Sequence, residues 1–281
     1  MNRIRRSFQL LGQCFSVLRQ DPELLLFPIV SVICFVAVVA SFVLPLLATQ
    51  GGAALTQGAG HLAFSTAHWV VLGAFYFLTY FVIAFFNVAL VSCAGIRLNG
   101  GDPTLGDGLR AAFSRIGTIA AWVAVAASVG WLLRTLEEKA GFLGKIVIAL
   151  IGTAWSLATA LVVPVLAFER VGPVDSVKRS ISLLKQTWGE QIVGDVGLGV
   201  LAFFGILASV VIGGGGAVLL PQLWYVPVAF GVCLLAVTLV LQATLKGIFQ
   251  AALYVYATTG QVRGGFDDAL IQQAFRTKRK R

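Results

Sequence analysis

The residues of this chain with the most chemical potential lie in or beside long apolar runs. Thr238, Gln242, Lys246 and Gln250 recur at every fourth position, so a helix places them on one face. An ammonium in hydrocarbon is costly, and it marks a functional position unless it reaches water or a carboxylate. Lys246 has two candidate partners, Glu190 and Asp195; snorkelling to the membrane boundary is the alternative. Glu169 closes an apolar run just after Pro164, and Arg179 is its expected partner, against the alternative of an exposed loop carboxylate. Asn87, Thr153, Ser156 and Thr159 either line a polar path or bond to neighbouring helices and their own backbone. His61 and His68 lack a third ligand and are a weak metal signal. No phosphate loop, nucleophile elbow, zinc-binding helix motif or paired-carboxylate arrangement is present, so no catalytic, cofactor or metal residue is assigned and a non-enzymatic protein is expected.

The elements that position these residues follow from composition. Of 281 residues, 58% are apolar and 12% charged, where a soluble domain carries about 25% charge. Six nearly uncharged windows, about 26–48, 70–93, 116–133, 146–168, 196–216 and 226–246, have the length that crosses hydrocarbon. In lipid the backbone must satisfy its own polar groups, and the runs are continuous rather than alternating, so the spans are helices and not barrel strands. No intervening segment is long enough to fold alone. The expected fold is therefore an all-α polytopic bundle in one transmembrane domain, residues 1–281, with a tail at 258–281.

Basic residues set the expected orientation. Arg3, Arg5, Arg6 and Arg19 precede the first span, and Arg97, Arg110 and Arg115 separate the second from the third. Arg170, Lys178, Arg179 and Lys185 lie between the fourth and fifth, and Arg263, Arg276, Lys278, Arg279, Lys280 and Arg281 follow the sixth. Seventeen of the 21 lysines and arginines thus fall on one side. The other side holds Arg134, Lys139 and Lys145, with Glu137 and Glu138. Both termini are expected in the cytoplasm. The net charge of +9 reflects this asymmetry and not nucleic-acid binding. Arg5-Arg6-Ser7-Phe8 resembles a twin-arginine phrase, but the apolar run starts only after Asp21-Pro22-Glu23 and is too long for a signal-peptide core, so an uncleaved first helix is expected. Cys14, Cys34, Cys93 and Cys233 form neither a disulfide framework nor a metal spacing.

A phrase is repeated within the chain. Arg6-Ser7-Phe8-Gln9-Leu10-Leu11-Gly12-Gln13 returns as Arg179-Ser180-Ile181-Ser182-Leu183-Leu184-Lys185-Gln186. Each copy sits in an amphipathic stripe: Ile4, Phe8, Leu11, Phe15 and Leu18 in the first; Val174, Val177, Ile181, Leu184 and Trp188 in the other. Leu105, Leu109, Ala112 and Ile116 form a degenerate third stripe between them. Helices of this type lie in the membrane interface, apolar face down and basic face toward anionic headgroups. Interfacial helices are expected at about 3–19, 103–115 and 173–188, each feeding a hairpin of two spans. Asp102-Pro103 and Gly172-Pro173 supply start signals. Small residues four apart, Gly152-Ser156-Ala160 and Gly205-Ser209-Gly213-Ala217, mark packing seams.

Several phrases together carry a resemblance. They are Arg19 through Pro28, Gly100-Gly101-Asp102-Pro103-Thr104, Val163 through Pro173 with Asp175 through Glu190, and Ala252 through Gly260 with Gly264 through Asp268. The chain resembles, over nearly its full length, a family of prokaryotic six-span membrane proteins known as a domain of unknown function. More loosely, the Pro164 to Ser180 stretch is similar to the membrane domain of bacterial glycerophosphodiester phosphodiesterases; no hydrolase chemistry comes with that likeness. The resemblance implies a multi-pass protein of a prokaryotic cytoplasmic membrane and supplies no catalytic residues. The function expected is lipid or partner organisation at the cytoplasmic face, with a small-solute or ion transporter or channel as the alternative. Arg5, Arg6, Lys178, Arg179, Lys278, Arg279, Lys280 and Arg281 are the candidate anionic-lipid contacts. Expected partners are membrane lipids and a second copy or another membrane protein, not nucleic acid.

Overall fold

The computed structural model describes residues 3–50, 66–219 and 221–259, and within them all side chains except those of 3–10, 46–50, 66–69, 186–196 and 221. The described residues contain helices and no strand. In order these are α1 (Arg3–Gln20), α2 (Leu26–Gln50), α3 (Thr66–Leu98), α4 (Leu105–Phe113), α5 (Ile116–Lys139), α6 (Phe142–Ala158), α7 (Val162–Phe168), α8 (Pro173–Val210), α9 (Gly216–Leu219) and α10 (Tyr225–Thr259). Among the described residues, six stretches are long and apolar enough to cross a membrane: Pro22–Pro45, Val70–Leu98, Ile116–Lys139, Phe142–Phe168, Gly197–Leu219 and Tyr225–Thr259. The chain is therefore an all-helical, multi-pass membrane bundle. Its two ends are distinguished here by charge, the basic end carrying Arg19, Arg97, Arg115, Arg170 and Arg179.

Helix α3 is the hub. Half of its span window is buried, against 11% for the first and fourth spans, and it packs on α2, α4, α5, α7 and α10. The crossing with α10 is close because Gly247 has no side chain: a Cβ there would lie 1.9 Å from Leu90 Cδ2. Burial concentrates toward the basic end, where Val17, Leu24, Leu90, Leu98, Ile119, Leu161, Leu166, Leu183, Leu245 and Ile248 are the large side chains fully enclosed.

Three differences from the sequence expectation have physical causes. First, the repeated unit is not built the same way each time. A 3-10 turn at Pro22–Leu25 separates α1 from α2, and Ser114-Arg115 separates α4 from α5, but the third amphipathic segment and fifth span form the single 38-residue helix α8. No proline interrupts 174–210, so nothing forces a break. Second, the fourth span is interrupted between Ala158 and Val162, and the sixth runs on to Thr259. Third, the amphipathic stripes face their own bundle. Leu11, Cys14, Val17 and Leu18 of α1 are buried, α1 packs on α8 and α10, and α4 packs along α3 with Ala112 buried. Their apolar faces are thus partly covered by the base of the bundle, with Phe113, Ile116 and Val174 left exposed.

Local sequence explains the starts. Thr104 caps α4: its hydroxyl accepts from the Asp107 amide at 3.2 Å, and Asp107 Oδ2 accepts from the Thr104 amide at 3.0 Å. Pro173 opens α8 in its first turn, whereas Pro103 stands before the Thr104 cap. Gly100, at φ +87°, makes the turn after α3 that an L side chain would resist.

Candidate functional site

The interruption of the fourth span organises a polar cluster at the basic end. Pro164 has no amide hydrogen, so the Ala160 carbonyl, its partner in an unbroken helix, is left free. Gln250 Nε2 on α10 donates to that carbonyl at 3.0 Å. The Leu161 amide, released by the same break, donates to Ser180 Oγ on α8 at 3.1 Å, and Ser180 is fully buried. Both orphaned backbone groups are satisfied by side chains from neighbouring helices, which is what hydrocarbon requires of a broken helix. Ser180 is the serine of the repeated Arg-Ser phrase, and here it fixes the helix break.

The arginine of the same phrase completes the cluster. Arg179 Nε donates to Glu169 Oε1 at 2.8 Å, and Tyr254 Oη donates to the same oxygen at 3.0 Å. Tyr254 stacks on Phe168, ring centroids 4.7 Å apart. Phe168 in turn covers Gly95 of α3, where a Cβ would come within 2.3 Å of the ring. The Glu169–Arg179 pair expected from the sequence is thus formed and locked in place by α3 and α10. The carboxylate raises the Arg179 guanidinium above its ordinary value. With 44% of the Arg179 side chain exposed, the pair contributes at most about 1 kcal/mol.

Arg115 lies beside this cluster and is not neutralised by it. Its Nε is buried and has no hydrogen-bond partner among the described residues. Burial, and after it the charge of Arg170, lower the Arg115 guanidinium from its ordinary value, with Tyr254 opposing. A second arginine lies in the last turn of α3 itself. Arg97 forks onto Asp21 through Nε and Nη2, and Nη2 also meets Asp102 Oδ1 at 2.6 Å. This clamp ties the α1–α2 junction to the α3–α4 turn, with the Arg97 and Asp21 side chains 19% and 10% exposed. Sequence reasoning used Arg97 and Arg115 only as orientation markers, and it passed over Tyr254 and Ser180. The signal was present in Asp21-Pro22 and in Arg97 at the end of a span, two opposite charges at the same membrane boundary.

Other expected sites fall differently. Lys246 is exposed on α10 between the buried Leu245 and Gly247, about 30 Å along the helix from Tyr225. Its expected partners, Glu190 and Asp195, have side chains outside the described residues. Gln242 is half-buried on the same face. Lys178 Nζ meets Asp175 Oδ1 at 3.2 Å on the exposed surface of α8. The side chains of Arg5, Arg6 and His68, and all of His61, Lys278, Arg279, Lys280 and Arg281, lie outside the described residues. Thr153, Ser156 and Thr159 donate to the backbone of their own helix, at Ala149, Gly152 and Trp155, and Asn87 is half-buried. The α8–α10 seam is tight: Cβ atoms at Gly205 and Gly231 would meet Thr238 at 2.3 Å and the Ser209 carbonyl at 2.7 Å. Gly152, by contrast, faces open space.

A family model described as a family of unknown function, DUF6159, matches residues 66–266, and the chain belongs to that family. No curated protein and no solved structure matches it, so the looser likeness to phosphodiesterase membrane domains gains no support.

Proposed function

We propose that this chain is a non-enzymatic membrane protein that gathers anionic lipid at its basic end, with that end and both termini in the cytoplasm of a prokaryotic cell. The observation that carries this is the way the amphipathic segments dock. Leu11, Cys14, Val17, Leu18 and Ala112 are buried against the bundle base, and Arg19, Arg110, Arg170, Lys178, Arg179 and Lys185 remain exposed around it. Each basic residue near an anionic surface contributes about 1 kcal/mol to attraction. A membrane-embedded partner with acidic loops is recognised by the same surface. A small-solute or ion path draws on the broken fourth span. Both freed groups there are already bonded to Gln250 and Ser180, so lipid binding is the preferred function.

The test is native mass spectrometry of the purified full chain equilibrated with equal amounts of phosphatidylglycerol and phosphatidylcholine. Preferential retention of phosphatidylglycerol, reduced by joint Arg110→Glu, Lys178→Glu and Lys185→Glu substitution, is the expected outcome. Equal retention of the two lipids by the wild-type chain would overturn the proposal.

A further inference from the structure

Helices α5 and α6 form a hairpin whose two feet are both broken at the basic end. At the first foot the Arg115 amide reaches back only three residues, to the Ala112 carbonyl at 3.1 Å. Four-residue bonding resumes with the Ile119 amide donating to the Arg115 carbonyl at 2.9 Å, and the Arg115 side chain does not cap α5. At the second foot the Ala160 and Val162 amides likewise bond three residues back, at 3.2 and 3.0 Å. Gln250 and Ser180 tie Ala160 and Leu161 to α10 and α8, so the body side of this break is held. Gly117, in the first turn of α5, has no positive φ and nothing within 4 Å of where a Cβ would stand. No close approach requires glycine there, and it leaves the foot of α5 freer to bend than alanine would.

Beyond the feet the two helices are braced to each other. Trp122, seven residues on from Arg115, stacks on Trp155, four residues before Thr159, with ring centroids 6.2 Å apart. The feet therefore lie at similar depth, about 10 and 6 Å from the tryptophan pair. At the tip a two-residue turn, Ala140-Gly141, joins the helices. The hairpin packs on α3 and α8, and Ile119, Trp122 and Val123 near its first foot are buried. Among the described residues none from 124 to 160 is buried. The α8–α10 seam, tight at Gly205 and Gly231, involves no residue of the hairpin. In a bilayer, lipid tails replace the apolar contacts such a hairpin gives up, so parting it from the body carries little hydrophobic cost.

The geometry points to a swinging arm: α5 and α6 pivot together about Ser114-Arg115 and Thr159, parting their far halves from α3 and α8 and opening the bundle sideways to lipid.

The experiment measures distances by double electron–electron resonance on the full chain in phosphatidylcholine nanodiscs. Cys34 and Cys233 are replaced by serine, while Cys14 and Cys93 are buried and stay. One nitroxide sits at Val232→Cys on α10 and its partner at Leu143→Cys or Leu150→Cys on the arm, all exposed positions. A body pair, Val232→Cys with the exposed Phe203→Cys on α8, reports that each variant is folded. Leu143 and Leu150 lie about 24 and 13 Å along α6 from Thr159. The body pair should give one narrow distance. Both arm pairs should show a second distance, displaced at Leu150 by roughly half as much as at Leu143, as levers of those lengths require. Gly117→Ala should shrink the second population and leave the body pair unchanged. A single distance as narrow as the body pair's at both arm positions would overturn the inference. So would a second distance at Leu143 alone, which is fraying of the tip, or a second population that Gly117→Ala leaves unchanged.

Discussion

At the basic end Leu24, Leu90, Leu98, Leu161, Leu166, Leu245 and Ile248 are at most 2% exposed, whereas at the opposite end Phe142, Leu143, Val218 and Leu219 are 76–80% exposed. Both ends are apolar, so hydropathy does not separate them. The difference is architectural. At the basic end α1, α4 and the first half of α8 wrap the spans, and small residues let α3 and α10 close together. At the far end α5 and α6 present Leu and Phe to the surroundings, while the α8–α10 seam stays tight through Gly213 and Gly231. In a bilayer the far-end side chains meet lipid tails, which are as apolar as they are, so no hydrophobic drive closes that end. Cohesion must come from packing and polar clamps, and both are concentrated at the basic end.

The comparison is broken most directly by equal truncations at the two ends. Leu245→Ala, in a fully enclosed site, should cost about 2–5 kcal/mol, whereas Leu143→Ala, 76% exposed, should cost less than about 1 kcal/mol. Apparent unfolding in mixed detergent reads both, and equal costs would remove the contrast. The ion pairs give the next test. Arg97→Gln strands the largely enclosed Asp21 and should cost about 3 kcal/mol. Arg134→Ala breaks the Arg134–Glu138 pair, with side chains 80% and 67% exposed, and should cost no more than about 0.5 kcal/mol.

The helix break sharpens the comparison further. Gln250→Leu leaves the Ala160 carbonyl without its 3.0 Å donor, a loss of about 1–3 kcal/mol. Pro164→Ala supplies a new amide at that position, so the double variant should regain part of the loss in a double-mutant cycle. Strict additivity would mean the proline does not create the need that Gln250 meets. The smallest effect concerns the α4 cap. Hydrogen bonds from the Thr104 hydroxyl and amide hold the Asp107 carboxyl below its ordinary 3.8. A depressed folded value stabilises above the unfolded pKa and is lost as pH falls through the folded one. Amide exchange at 105–113 should therefore quicken only on acidification below the ordinary carboxylate range, and Asp107→Asn should abolish that dependence.

Much of this was legible in the sequence because its causes are local. The six spans follow from continuous apolar runs, the α8 start from Gly172-Pro173, and the Glu169–Arg179 pair from two charges flanking one turn. What was not legible depends on which helix lies beside which. An amphipathic stripe looks the same whether its apolar face meets lipid or its own bundle, so the docking of α1 and α4 could not be read from periodicity. Pro164 signalled a weakened helix, but that Gln250 and Ser180 repair it requires positions 90 and 19 residues away from the groups they satisfy. The repeated Arg-Ser phrase was legible as a repeat. Its task in the second copy, capping a break and clamping a loop, came only with the tertiary structure.

The central claim is that the chain is held together at its basic end, and four native cysteines report on it without mutation. Cys14 and Cys93 are 1% exposed within the basic-end core, Cys34 is half-buried, and Cys233 is exposed on α10. Burial also pushes the Cys14 thiol up to about 12, suppressing its reactive thiolate. The decisive measurement is site-resolved mass spectrometry of the folded wild-type chain treated with a lipid-soluble maleimide. Cys233 should be modified first and Cys34 more slowly, with Cys14 and Cys93 protected until the protein is heated through its transition. Modification of Cys14 and Cys93 at the rate of Cys233 in the folded protein would contradict the account.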